Sequence, residues 1–186
     1  MKKGWIIAIV IVILLVIYGL TSYNGLVTSK EAATAQWQQV ETQYQRRFDL
    51  IPNLVESVKG AMAQEKDVFS AIADARTRYA GATTVNDKAA AATQVESSLA
   101  RLLVVMENYP TLKSLDTVQN LMTQLEGTEN RVATERGRFN EKVQSYNLDV
   151  KRFPRSVIAS MFGFEPLNYF EAQTGAENAP KVNLTQ

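Results

Sequence analysis

From Trp5 to Leu20 the chain reads WIIAIVIVILLVIYGL, and no formal charge falls between Gly4 and Ser29. About twenty such residues in a helix rise some 30 Å, enough to cross the hydrocarbon core of a bilayer. The run is therefore expected to be a retained transmembrane anchor over residues 1–24, with Trp5, Tyr18 and Tyr23 at the two interfaces. The rival reading is a cleaved signal peptide, whose apolar stretch is shorter and ends at a small-x-small site. Neither condition is well met after Ile17, and lipid attachment at a cysteine is excluded because the chain has none. Lys2, Lys3 and the α-amino group precede the span, whereas after Leu20 only Lys30 is basic as far as Val40. The positive flank stays in the cytoplasm, so the rest of the chain is expected outside it.

Composition narrows the chemistry. The 186 residues allow an anchor plus one domain. Twenty Lys+Arg against nineteen Asp+Glu give a formal charge of +1, so no global basic field exists to collect nucleic acid. With no Cys and no His, the chain has no disulfide, no thiolate nucleophile, no imidazole acid or base, and none of the usual zinc or haem ligand sets. No catalytic residue, cofactor site or metal site is expected.

Beyond the span, apolar residues recur at three and four: Trp37, Val40, Tyr44, Phe48, Ile51, Val55, Val58, Met62, then Phe69, Ile72 and Tyr79. Pro52 removes the hydrogen bond to the Phe48 carbonyl, so a kink or restart belongs there, with Asp49 able to cap the new turn. A helix running to about Ala80 follows, then a loop over GATTV (81–85) and a second helix from about Asp87 to Glu107, capped by Asn86 or Asp87. This second helix packs through Ala91, Val95, Leu99, Leu102, Leu103 and Met106. Pro110 ends it, because the residue before proline leaves the helical region. Whether the chain bends or reverses there is open. The third helix has the cleanest stripe: Leu115, Val118, Met122, Leu125, Val132, Phe139, Val143, Tyr146, Val150 and Phe153. Pro154 stops it, and a short helix from about Arg155 to Phe162 precedes an aromatic cluster.

No segment alternates as a strand does. The fold class is all-α: an N-terminal transmembrane helix followed by an up-and-down antiparallel bundle of three long helices and a short fourth, with coiled-coil-like seams. Four segments are expected: the anchor over 1–24, a helical stalk over 25–48, the bundle over 49–170, and a flexible tail over 171–186.

Two sets of residues stand apart from this plain pattern. Stepping by sevens from Met122 lands on Glu129 and Arg136, from Val40 on Arg47, and from Val58 on Glu65, so four charges fall where the packing face should be apolar. They form either a polar seam of ion pairs that fixes helix register or a layer carrying carboxylate chemistry, with Glu129 as the base of a hydrolase. The register reading is favoured because an inner charge survives most cheaply beside an opposite one. The second set is a candidate interaction surface. Trp37, Val40 and Tyr44 lie on the stalk, ahead of the bundle proper, and are expected to lack an internal partner. Phe162, Phe164, Tyr169 and Phe170 either dock on a neighbour or membrane, or cap the open end of the bundle.

The stretch QYQRRFDLIPNLVESVKG (43–60), the turn NYPTLKS (108–114), the block QLEGTENRVATERGRFNEKVQSYN (124–147) and Phe153-Pro154 followed by Gly163-Phe164 resemble the LemA family, in order and with compatible spacing from the anchor to about Phe170. The resemblance implies a bacterial single-pass membrane protein whose helical bundle lies outside the cytoplasm. That places it in the inner membrane with a periplasmic domain. Some members of the family are linked to internal membrane compartments, others to membrane metalloproteases. The resemblance transfers no active site. The expected function is a self-assembling, homo-oligomeric envelope scaffold, not an enzyme, whose partners are the lipid bilayer and other envelope proteins and not nucleic acid. An adaptor or regulator of a membrane protease is the alternative.

Overall fold

The computed structural model describes residues 2–170, so the expected flexible tail over 171–186 lies outside the described residues. Within them the chain forms six helices and no strand: α1 Lys2–Lys59, α2 Lys66–Gly81, α3 Val85–Met106, α4 Pro110–Lys113, α5 Asp116–Lys151 and α6 Arg155–Met161. The all-α expectation holds, with more breaks than the periodicity suggests.

The first difference is at Pro52. Helix α1 continues through it to Lys59, and the chain turns over residues 60–65 instead. A proline inside a helix costs about 3 kcal/mol. Ile51, Leu54 and Val58 are fully buried on one face around it, and each contributes about 1.5–3 kcal/mol on burial. Packing outweighs the lost hydrogen bond, and Asp49 is an exposed mid-helix residue with no capping role. The helix then ends in a turn in which the amides of Ala61 and Met62 both donate to the Val58 carbonyl. The cap of α3 also differs. Thr84, not Asn86 or Asp87, is the N-cap: its hydroxyl accepts from the Asp87 amide and donates to the Asp87 carboxylate at 2.7 Å. The pairing satisfies the Asp87 amide, one of the unpaired donors of the first turn, and the carboxylate orients the capping hydroxyl.

The chain divides into two compact units. The second comprises Phe48–Leu125 with Phe170. Here α2 and α3 run antiparallel, as Arg78 bonding Gln94 and Ser98 bonding the Ala71 carbonyl show. Val68, Ile72, Ala75, Ala91, Ala92, Val95, Leu99, Leu102 and Met106 form their buried faces. Phe69, Val55 and Leu103 are only partly buried, each one position beyond a buried residue, and Tyr79, four residues after Ala75, is partly buried at the end of the α2 stripe. Pro110 opens the single turn α4 as its first residue, where its missing N–H is not needed. Leu115 is exposed.

The first unit comprises Met1–Arg47 and Glu126–Tyr169. Its α1 and α5 segments are antiparallel: Gln36 pairs with Glu135 and Trp37 with Phe139, while Arg47 pairs with the earlier Glu129. Val132, Phe139, Val143, Tyr146 and Val150 are the buried stripe of α5. Phe153, placed on that stripe by spacing, is 82% exposed because the helix has already ended at Lys151.

Residues 25–48 are no stalk waiting for a partner. Leu26, Ala33, Trp37, Val40 and Tyr44 are buried in this unit, and Trp37, 5% exposed, meets Phe139 edge-on with ring centroids 5.3 Å apart. The expectation that Trp37, Val40 and Tyr44 are a free surface is therefore corrected. Their stripe is covered by α5 of the same chain.

Candidate functional site

The seam of the first unit begins with Arg47, which α1 aims inward at the position where the apolar stripe steps from Val40. Its side chain is only 6% exposed, and its Nη2 lies 3.4 Å from Glu129 Oε2. Glu129, on α5, is 65% exposed. The pair is thus one-sided, a buried guanidinium held by a carboxylate that keeps most of its hydration. That is cheaper than burying both ions. One turn nearer the N-terminus of α1, the buried Tyr44 hydroxyl accepts from Arg136 Nε at 2.9 Å and also from Arg136 Nη2. A further step along, Gln36 Nε2 donates to Glu135 Oε2 at 2.6 Å, and Arg138 bridges to Glu135 Oε1 at 2.6 Å, three residues away on the same helix.

Of the four charges stepped out from the sequence, three lie along this α1–α5 seam: Arg47 with Glu129, and Arg136 on Tyr44. Glu65 does not join them. It lies in the second unit as the residue preceding α2, where Tyr109 donates its hydroxyl to Glu65 Oε1 at 3.3 Å. Desolvation, followed by the charge and hydrogen bond of Glu65, raises the Tyr109 pKa above the ordinary phenol value. The seam holds two helices in register through polar contacts of fixed partner. Glu129, the base of a hydrolase reading, is turned to solvent and engaged with Arg47. Among the described residues no group of three or more His, Cys, Asp or Glu could hold a metal ion.

The other constellation lies where the C-terminal segment returns to α1. Gly163, at φ +70°, closes α6: the Phe164 amide reaches back to the Ala159 carbonyl at 2.9 Å, a helix end that glycine adopts without strain. The chain beyond it is clamped to α5. Asn147, buried on α5, donates Nδ2 to the Leu167 carbonyl and accepts the Leu167 amide at Oδ1, both at 2.8 Å. Tyr146 donates its hydroxyl to the Glu165 carbonyl at 3.0 Å. Burial, and then the Glu165 charge, raise its pKa. Leu26, Tyr146, Val150 and Ala159 form the core of this end, with Ile158, Phe164 and Leu167 against it.

The aromatic quartet is divided by this arrangement. Phe164 packs on that cluster and edges the Tyr23 ring at 5.6 Å, as the capping reading requires. Phe162 touches Tyr23 at 4.9 Å yet stays exposed, Tyr169 is exposed, and Phe170 is partly buried. Asn147 escaped the sequence reading. Stepping by sevens from Met122 passes through Val143 and Val150 and misses it, although a three-four reading, with Asn147 four residues after Val143 and three before Val150, places it on that face.

Comparison with known proteins bears on the same residues. The family model described as LemA family matches residues 36–184. Two magnetosome proteins of Paramagnetospirillum magneticum, MamQ 1 and MamQ 2, are each 28% identical to the chain over 92% of its length and 73% of theirs. Magnetosome protein MamQ of Magnetospirillum gryphiswaldense is 28% identical over 85% of this chain and 68% of its own. The matched family region contains the whole seam from Gln36 to Arg138 and the Asn147 clamp.

Proposed function

This chain belongs to the LemA family, and we propose that it is a membrane-anchored scaffold of the bacterial envelope, with its N-terminus in the cytoplasm and its helical units outside, acting by self-assembly. The observation that carries the proposal is the continuity of α1. One helix of 58 residues runs from an apolar segment exposed from Trp5 to Tyr18 into the buried core of the first unit, Leu26 to Arg47. No linker separates the segment suited to a bilayer from the folded part, so the anchor and the first unit turn as one body. Copies that associate would impose their geometry directly on the membrane, which a domain on a flexible tether cannot do. Closed symmetric assemblies are the usual outcome of self-association.

The relatives are magnetosome proteins, which supports membrane association for this chain; that it organises the membrane is our reading of α1. The internal polar contacts fit it too. They bind helix to helix within the chain and leave no assembled nucleophile and base in the seam. Purification of the full chain in mild detergent followed by single-particle imaging tests the proposal. A scaffold appears as a large homo-oligomer without added partners, whereas a uniform monomer that enlarges only with an envelope protein would establish the adaptor role instead.

A further inference from the structure

The unit that contains the anchor exposes a second apolar surface, on and beside α6. Phe153 is 82% and Met161 72% exposed, and Val157 and Phe162 are exposed as well. Val157 and Met161 lie four residues apart on one face of α6. The opposite face, Ile158 and Ala159, packs inward on Leu26, Tyr146 and Val150. A short helix with one side in a protein core and the other apolar and bare needs a cover.

The place of α6 along α1 identifies that cover. The contacts of α6 and the residue after it with Gly19, Tyr23, Gly25 and Leu26 of α1 fall on the last turns of the apolar segment or just past them. A Cβ on Gly19 would sit 3.9 Å from Ile158 Cδ1, the Tyr23 ring touches Phe162 at 4.9 Å, and a Cβ on Gly25 would sit 3.6 Å from the Arg155 guanidinium. A bilayer core takes about twenty helical residues, and counted from Gly4 that length ends near Tyr23. The contacts of α6 thus bracket the depth at which the hydrocarbon gives way to headgroups. Lys151 and Arg152, both exposed, stand at the start of the same turn, and Arg155 is paired with Asp149. Apolar and aromatic side chains beside basic ones are the composition of a segment that lies in a membrane surface.

We infer that α6 is an interfacial helix: Phe153, Val157, Met161 and Phe162 enter the surface of the same bilayer that α1 crosses, giving the first unit a second attachment that fixes its tilt. The inference rests on α1 being an anchor, and its test separates the two. Because the chain contains no cysteine, Met161→Cys, Val157→Cys, Ile13→Cys and Thr134→Cys each accept one environment-sensitive fluorophore in the full chain, reconstituted in vesicles of phosphatidylcholine and phosphatidylglycerol. Thr134 is exposed on α5, twelve residues before Tyr146 and so about 18 Å along the helix. Lipids brominated near the headgroup end of their chains are the quencher for 157, 161 and 134, and lipids brominated near the chain terminus are the quencher for 13, which lies mid-span. The labels at 161 and 157 are expected to be quenched several-fold more than the label at 134. Quenching at 13 with the 161 and 157 labels behaving like 134 would overturn the interfacial helix and keep the anchor. No quenching at 13 either would overturn both. A blue-shifted label at 161 that bromine does not reach, and that reddens when the protein is diluted in lipid, would assign the face to a second copy and likewise overturn the inference.

Discussion

Arg47 and Glu129 form one ion pair, but their unequal burial makes them unequal in stability. Replacing Glu129 with Ala removes a carboxylate that is 65% exposed and 3.4 Å from its partner. A pair with so solvated a member contributes about 0.2–1 kcal/mol, a melting shift of at most roughly 2–4 °C for a chain of this size. Replacing Arg47 with Ala leaves Glu129 in water, with no orphaned buried charge, but it empties space in a face that is 6% exposed. Large-to-small changes at such sites cost about 2–5 kcal/mol, and about 3 kcal/mol lowers the melting temperature by roughly 6–12 °C. Arg47→Met keeps the apolar stem and removes the charge, and is expected within about 1 kcal/mol of wild type, because a buried ion is often replaceable by an apolar side chain of similar volume. The assay is thermal unfolding of the full chain in mild detergent, followed by far-ultraviolet circular dichroism. Equal losses for Glu129→Ala and Arg47→Ala would refute the reasoning, since they would mean that the carboxylate alone keeps Arg47 inside. That symmetric outcome is what a fully buried ion-pair layer requires.

Trp37→Ala is expected to cost about 3–5 kcal/mol in the same melt, as for other large aromatic truncations in cores; a stable variant that merely loses self-association would restore the free-surface reading of the stalk. Asn147→Ala removes both bonds to Leu167, each worth about 0.5–1.5 kcal/mol, and should raise hydrogen exchange over residues 163–169 by about tenfold or more while leaving α5 protected. For Tyr146, the folded-state pKa is raised, so the phenol's contribution is fully present below the unfolded value of 10.0 and is lost as pH rises through the higher folded one. Ultraviolet titration of Tyr146→Phe should therefore lack one late-ionising phenol, and this variant should lose less stability between pH 10 and higher pH than wild type does.

The all-α class and the stripe of α5 were legible in the sequence because a three-four pattern reports which side of a helix is buried. It does not report what buries it. Trp37, Val40 and Tyr44 carry that pattern plainly, yet only the antiparallel return of α5, eighty or more residues later, shows their cover to be internal. Pro52 misled for a related reason: local propensity marks a break, but Ile51, Leu54 and Val58 are buried around it and hold the helix through. Gly60, which does follow the true helix end, sits in a stretch whose periodicity continues to Met62 and so hides the turn. Charge positions were found by stepping, though the same arithmetic placed Glu65 with residues that fold into the other unit. It also treated Glu129 as buried, because a heptad position cannot tell a core site from its solvent-facing flank. The cluster of Ile158, Phe164 and Leu167 on Leu26 depended on Gly163 turning the chain back, which no periodicity contains.

The most direct test of the account is the number of chains held together in the membrane that α1 occupies. Full-length protein extracted from cells in polymer-bounded native nanodiscs, without detergent and without added partners, can be weighed particle by particle. The account predicts discrete masses at multiples of the 20.7 kDa chain, with a closed assembly dominating. A single population carrying one copy of the chain, at the density found in the cell, would contradict it.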